Sequence, residues 1–154
     1  MITTRLIQEN EINILYDMIL KLAHYLGDEI EMTPTQLHDS IFKDHLCNAV
    51  ISFKDDMPVG MGFYYYTFST MTGKKGMYLL DLFVDEKARH QGVGKSIFKA
   101  LAKVALENDC KRIDWDCLKW NEGSIKMYET MSPQLRDDHH FFRLDFNQIQ
   151  QLAK

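Results

Sequence analysis

The feature that most constrains the fold is an apolar segment that runs into a glycine-containing loop and then into an amphipathic helix. Residues 77–84 are almost wholly apolar, residues 89–94 follow the pattern Arg-x-x-Gly-x-Gly, and residues 96–108 carry apolar side chains at helical spacing. Glycines at a helix start let the backbone approach a ligand closely. The unpaired N–H groups and the helix dipole there favour an anion. The segment therefore predicts a strand–loop–helix unit with an anion site suited to a pyrophosphate.

Two well-known phosphate loops do not fit this segment. The Walker pattern Gly-x-x-x-x-Gly-Lys-Ser/Thr is absent, and no third glycine follows in the register that dinucleotide-binding proteins use. Taken alone, the glycine pair is also compatible with a tight strand-to-helix turn that binds nothing. The rest of the chain has to decide between these two interpretations.

Hydrophobic periodicity divides the remaining sequence into short alternating elements. We predict strands at residues 2–7, 48–53, 59–68, 77–84, 112–118 and 141–146, and helices at 9–26, 34–45, 96–108 and 122–131. The chain has no internal repeat, linker or low-complexity segment. We therefore expect one mixed α/β domain spanning residues 1–154.

The composition excludes several classes of protein. The apolar fraction of 45% and the aromatic fraction of 12% argue against a disordered chain. A net charge of −4 argues against a whole-chain nucleic-acid binder. The longest uncharged run, residues 57–73, is too short and too polar to span a bilayer. We expect neither a nucleic-acid partner nor a membrane.

Cysteine usage predicts the compartment. The three cysteines, Cys47, Cys110 and Cys117, contain no close pair, which argues against a disulfide framework or a zinc site. The N-terminal residues lack the apolar core of a secretion signal. We therefore predict a cytoplasmic protein without a bound metal.

A second motif follows downstream and completes a resemblance. Residues 120–128 read Trp-Asn-Glu-Gly-Ser-Ile-Lys-Met-Tyr. Together with the glycine loop, this order resembles the GNAT superfamily of acyl-CoA-dependent N-acetyltransferases, and most closely its diamine (spermidine/spermine) and thialysine acetyltransferase branch. The resemblance implies a mixed sheet of six to seven strands flanked by about four helices, with two parallel strands splayed to hold the cofactor.

The resemblance also implies acetyl-CoA as the cosubstrate. Its pyrophosphate would lie on the amides of the glycine loop, its pantetheine would pair with residues 82–84, and a backbone N–H near Leu82 would stabilise the oxyanion. The residues assigned to the cofactor are Leu82, Phe83, Val84, Arg89, His90, Gln91, Gly92, Val93, Gly94, Lys95, Ser96, Asn121 and Ser124.

Two side chains are candidates for proton transfer. Tyr128 matches the family's general acid, and a phenol with a pKa of about 10 suits a thiolate whose thiol has a pKa of about 8.5. The diamine branch has a glutamate as its base, but that position is Leu80 here. Asp81 is then the nearest carboxylate, either as the base or as a hydrogen-bond partner for neighbouring backbone. The remaining alternative is a chain of waters without a dedicated base.

The acceptor site is the part of the resemblance that matches least. The connector between the first two helices carries three acids, Asp28, Glu29 and Glu31, which with Asp81 would attract a cationic amine. The loop after the aromatic strand, residues 69–76, lacks the Asp and Trp found in polyamine enzymes. We predict direct acetyl transfer to a small primary amine in a ternary complex, with a homodimer implied by the family. A protein or peptide N-acetyltransferase and a non-catalytic acyl-CoA-binding module remain alternatives.

Overall fold

The computed structural model describes residues 1–154, in two compact units, Met1–Leu118 and Lys119–Lys154. Five strands and three helices form the first unit, and two helices belong to the second. The first unit contains β1 (Ile2–Leu6), α1 (Ile12–Leu26), α2 (Pro34–Phe42), β2 (Asn48–Lys54), β3 (Met57–Ser69), β4 (Lys74–Val84), α3 (Val93–Glu107) and β5 (Cys110–Trp115). The second contains α4 (Glu122–Glu129) and α5 (Phe146–Leu152).

The sheet has the order β1-β2-β3-β4-β5. Its first four strands are antiparallel neighbours, and β5 pairs with β4 in parallel. A parallel pair needs a crossover connection, which α3 supplies. The β4–β5 register ends at Leu79 opposite Trp115, although β4 continues to Val84. The second half of β4 therefore has no β5 partner along one edge.

Helices cover both faces of the sheet. On one face α1 and α2 pack on alternate residues of the central strands, including Met61 and Phe63 of β3. On the other face α3 approaches so closely that a Cβ at Gly62 would lie 2.8 Å from a methyl group of Ile97. Strand alternation explains this division, because neighbouring residues of β3 point to opposite faces. The mixed α/β class predicted from the sequence is confirmed.

Local chemistry sets the ends of the helices. Gly27 ends α1 with a left-handed φ of 72°, and Thr33 caps α2 by accepting a hydrogen bond from the Gln36 N–H. α3 begins at Val93, three residues before the predicted start, because Gly92 with φ 87° serves as its N-cap. Gly94 and Lys95 therefore lie in the first turn of the helix.

The predicted strand at residues 141–146 is wrong. Residues 141–145 form no strand, and α5 begins at Phe146. The Asp145 side chain caps this helix by accepting a hydrogen bond from the Gln148 N–H at 2.9 Å, and the Gln148 side-chain oxygen accepts one from the Asp145 N–H at 2.9 Å. This reciprocal cap outweighs the apolar pattern. The sheet therefore has five strands rather than six to seven. None of the helices has the length and apolarity that a membrane crossing requires.

Candidate active site

The glycine loop combines an unusual backbone with open space. His90 and Gly92 both adopt left-handed conformations, with φ of 60° and 87°. A Cβ placed on Gly92 would meet no protein atom within 4 Å. The first N–H groups of α3 have no partner within the helix. The loop therefore presents backbone donors next to free space, which suits an anion.

Several side chains of the loop are used inside the protein. Val93 is buried in the core, and the Ser96 hydroxyl lies 2.6 Å from the hydroxyl of Thr4 on β1. The Arg89 Nε donates to the Val84 carbonyl at 3.3 Å, and its guanidinium lies 5.1 Å from the centre of the Tyr25 ring. Because the side chains of Arg89, Val93 and Ser96 have these contacts within the protein, they are less available to a ligand. The exposed side chains of the loop are those of His90, Gln91 and Lys95.

The strand that leads into this loop has an available edge. Beyond Leu79, β4 pairs with β3 on one side only, up to Val84 opposite Gly60. Phe83 is buried, whereas Leu82 and Val84 are half-buried. An unpaired strand edge offers backbone hydrogen-bonding groups to an extended ligand. Residues 82–84, which the family resemblance assigns to the pantetheine, lie along this unpaired edge.

A bulge at Leu80 rearranges the faces of β4. Phe63 pairs with Asp81 and Tyr64 pairs with Leu79, so Leu80 has no partner on β3. Such an extra residue shifts the alternation of the side chains. Asp81 and Tyr78, three positions apart, therefore lie on the same face of the sheet. Leu80 itself is 51% exposed.

The Asp81 carboxyl lies in an environment that disfavours its charge. Burial is the main cause of its raised pKa, and the nearby Asp116 carboxylate adds to the effect. Asp116 accepts a hydrogen bond from the Tyr78 hydroxyl, and the Tyr78 ring stacks on Tyr65 with 5.3 Å between ring centres. A carboxyl with a raised pKa is a better proton acceptor than an exposed one. This face of the sheet can therefore hold a cationic group and accept its proton.

Sequence reasoning missed Asp114 and Asp116. Asp114 pairs with Tyr78 in the β4–β5 register and forms an ion pair with Arg112 at 3.0 Å. Asp116 follows two residues later, on the face where it meets Tyr78. The spacing Asp-Trp-Asp at residues 114–116 could have indicated this, because a strand places alternate residues on one face.

The acidic connector predicted to bind the acceptor is exposed. Asp28, Glu29 and Glu31 follow α1, and none of them is buried. The Asp28 carboxylate accepts a hydrogen bond from the Glu29 N–H at 2.9 Å. The Tyr16 hydroxyl donates to the Met32 carbonyl at 2.9 Å and so fastens the end of the connector to α1.

The second unit carries the remaining predicted residues on α4. Asn121 is the N-cap of α4, and its side-chain oxygen accepts a hydrogen bond from the Ser124 N–H at 3.4 Å. Tyr128 is half-buried in the last turn, where its carbonyl accepts a bond from the Met131 N–H at 2.9 Å. The asparagine thus shapes the helix start.

The three thiols are free and poorly suited to act as nucleophiles. Cys47, Cys110 and Cys117 form no disulfide, and burial raises the pKa of each thiol. A thiolate is the reactive form, so a raised pKa lowers reactivity at neutral pH. No group of three or more His, Cys, Asp or Glu side chains is arranged to hold a metal ion.

Comparison with known proteins identifies the family. Residues 15–132 match the Acetyltransferase (GNAT) family. The chain belongs to this family. A thialysine N-epsilon-acetyltransferase of Sus scrofa is 31% identical over 150 residues, which cover 88% of each chain. An L-ornithine N5-acetyltransferase of Arabidopsis thaliana is 29% identical over 100 residues, which cover 65% of this chain and 44% of that protein.

The fold of this chain is also similar to that of a solved structure. An integron cassette protein from the mobile metagenome of V. cholerae superposes with a TM-score of 0.81 at 24% identity. The superposition covers 99% of this chain and 98% of that chain. The family match and the named relatives make this protein an N-acetyltransferase, and GNAT enzymes generally use acetyl-CoA.

Proposed function

We propose that this protein transfers the acetyl group of acetyl-CoA to the primary amine of a small cationic acceptor. The observation that carries the proposal is the continuity of residues 79–94. An unpaired strand edge leads into a loop with two left-handed residues and then into the first turn of α3. An extended pantetheine and a pyrophosphate require such surfaces one after the other.

The residues present fit acetyl-CoA. The open space beside Gly92 admits a bulky anion, and the first-turn amides of α3 supply donors for its oxygens. The charge of the surrounding sequence agrees, because residues 87–126 hold 9 basic and 5 acidic side chains. Residues 82–84, the loop at 89–96, and Asn121 and Ser124 would hold the cosubstrate.

The acceptor amine has to lose a proton before it attacks. An ammonium with a pKa of about 10.4 is rarely neutral at pH 7, which adds about 4–5 kcal/mol to the barrier without help. Asp81 is the proposed proton acceptor, directly or through a water. Its raised pKa supports this role, and the same face also carries Asp116, whose charge would attract the cation.

The choice of a small amine follows the named relatives and the charge of the first half of the chain. Two relatives are named for acetylating thialysine at N-epsilon and L-ornithine at N5. Residues 1–60 hold 10 acidic and 4 basic side chains, and Asp28, Glu29 and Glu31 are exposed. These acids form the proposed acceptor wall together with Asp81.

The proposed transfer is direct, within a ternary complex. The raised pKa values of the three thiols argue against an acetyl-cysteine intermediate. Tyr128 is the proposed general acid, which would protonate the departing thiolate of coenzyme A.

Two wider properties belong to the same proposal. A cytoplasmic location is supported by the three free cysteines, since thiols stay reduced in that compartment. A homodimer is supported by large apolar side chains that lie exposed near the C-terminus, among them Phe141 at 82% and Phe142 at 86%.

A thiol-release screen tests the function. The purified chain is incubated with acetyl-CoA and with each amine of a panel, and the release of coenzyme A thiol is measured. The panel contains thialysine, lysine, ornithine, diamines, polyamines, aminoglycosides and basic peptides. The products are identified by mass spectrometry. We expect saturable release with at least one small amine. Release with peptides alone would favour a peptide acetyltransferase. Tight binding of acetyl-CoA without release for any amine would favour a non-catalytic module.

A further inference from the structure

Lys54 and Gln91 connect the β2–β3 hairpin to the glycine loop. The Lys54 ammonium donates a hydrogen bond to the Gln91 side-chain oxygen across 37 positions of sequence. The Gln91 side-chain nitrogen donates to the Lys87 carbonyl oxygen at 2.8 Å. Both polar atoms of the Gln91 side-chain amide are therefore held. The hairpin holds its oxygen, and the turn that precedes the loop holds its nitrogen.

Gln91 occupies the position where the loop most needs support. It lies between His90 and Gly92, which are both left-handed. For a residue with a Cβ, such as His90, that conformation is strained, because the Cβ lies too close to the following carbonyl oxygen. Strained backbone persists only where its surroundings determine it. The two hydrogen bonds of Gln91 supply such a constraint at the centre of the loop.

The other end of the connection is firmly placed. Lys54 is the last residue of β2 and pairs with Met57 across a two-residue turn. Asp55 and Asp56 in that turn have φ of 50° and 64°, as a tight hairpin with matched twist requires. The N-terminal amine adds an ion pair to Asp55 at 2.7 Å. Lys54 therefore acts from a rigid corner of the sheet.

We propose, on the basis of the acetyl-CoA site proposed above, that Lys54 is a positioning residue for the pyrophosphate loop. It acts through Gln91 and holds the loop in its binding conformation before the cosubstrate arrives. A loop that is already ordered loses less conformational entropy on binding. The effect concerns the affinity for coenzyme A, and it leaves the affinity for the amine and the chemical step unchanged.

The ligand-free protein provides the first test. Hydrogen–deuterium exchange of residues 86–95 is compared in the wild type, in Lys54→Met, which keeps most of the aliphatic stem, and in Lys43→Met, a matched change at an exposed lysine at the end of α2. We expect faster exchange in this segment for Lys54→Met alone. Equal exchange in all three proteins would overturn the role of Lys54.

A double-mutant cycle on coenzyme A binding provides the second test. Calorimetry gives the Kd for the wild type, Lys54→Met, Gln91→Ala and the double variant. We expect each single change to raise the Kd about tenfold, the value for losing one charge-assisted hydrogen bond. The double variant should bind no more weakly than either single one. In Lys54→Met, the KM of the amine and the kcat at saturating acetyl-CoA should stay at wild-type values.

The possible outcomes separate the two proposals. The losses of coenzyme A affinity could instead add in the double variant, and the effect of Lys54→Met could grow at low salt. That result would mean that Lys54 contacts a phosphate directly, and it would overturn the positioning role. An unchanged Kd in Lys54→Met would overturn that role while the acetyl-CoA site stands. A wild-type chain that does not bind coenzyme A would overturn the proposed function and the role of Lys54 with it.

Discussion

At the scale of single residues, the state of the Asp81 carboxyl links the proposed chemistry to stability. Its pKa is raised by burial and by Asp116, so kcat/KM should rise with pH through that pKa, as the base loses its proton. Asp81→Asn should lower turnover by about 10²-fold or more, and it should abolish the fall of kcat/KM at acidic pH, the acidic limb of the profile. Steady-state kinetics from pH 5 to 9 measures both. An unchanged acidic limb in the variant would rule out Asp81 as the base.

The same substitution should stabilise the protein at neutral pH. The folded state keeps the Asp81 proton to a higher pH than the unfolded chain, whose carboxyl titrates near about 3.9. Between these two pKa values the unfolded state binds fewer protons, so the free energy of unfolding falls as the pH rises. Urea denaturation should show Asp81→Asn more stable than the wild type at pH 7, with the gap narrowing toward pH 4. A variant less stable at pH 7 would indicate a structural role for the carboxylate.

Tyr128 offers a second test at this scale. Removing its hydroxyl in Tyr128→Phe should lower kcat by about 10²-fold, because a general acid acts only on the departing thiolate. The Kd of coenzyme A should change by less than about twofold, since the ring is kept. Stopped-flow turnover and calorimetry provide the two numbers. Losses of similar size in both, or no loss in either, would contradict the assignment of Tyr128 as the acid.

At the scale of elements, the backbone of the glycine loop can be tested against a matched glycine elsewhere. Gly92 and Gly73 have φ of 87° and 64°, and a Cβ at either would meet no atom within 4 Å. Replacing either by alanine should cost about 1 kcal/mol of stability through left-handed strain. Only Gly92→Ala should also raise the KM for acetyl-CoA, by about tenfold or more, because only that Cβ enters the proposed anion site. Equal KM values for both variants would mean that the loop binds no phosphate.

The elements also show what a sequence can and cannot predict. The apolar strand, the glycine pattern and the cap at Thr33 are local signals, and the structure confirms those elements. The bulge at Leu80 and the bond between Lys54 and Gln91 depend on strand register and on contacts between distant residues. The apolar residues at 141–146 suggested a strand, but the reciprocal cap at the start of α5 is the stronger local preference.

At the scale of the whole molecule, two stretches of the chain carry opposite net charges, which suit the cationic amine and the anionic cosubstrate proposed above. The acidic surplus lies in residues 1–60, and the basic surplus lies in residues 87–126, a stretch that contains the glycine loop. Counting charges along the sequence is enough to show this division. The spacing Asp-Trp-Asp at residues 114–116 could place both acids on one face, but the contact of Asp116 with Tyr78 also depends on the parallel register of β4 and β5, which no sequence pattern specifies.

A single-turnover experiment tests whether the acetyl group passes directly from acetyl-CoA to the amine. An excess of enzyme is mixed with acetyl-labelled acetyl-CoA and the best amine from the screen, and the reaction is quenched at intervals. The masses of the product and of the intact protein are then measured by mass spectrometry. We expect the label to move to the amine at the rate at which coenzyme A is released, with no acetylated protein at any time. Label on Cys47, Cys110 or Cys117 before the product appears, or coenzyme A release without an acetylated amine, would contradict it.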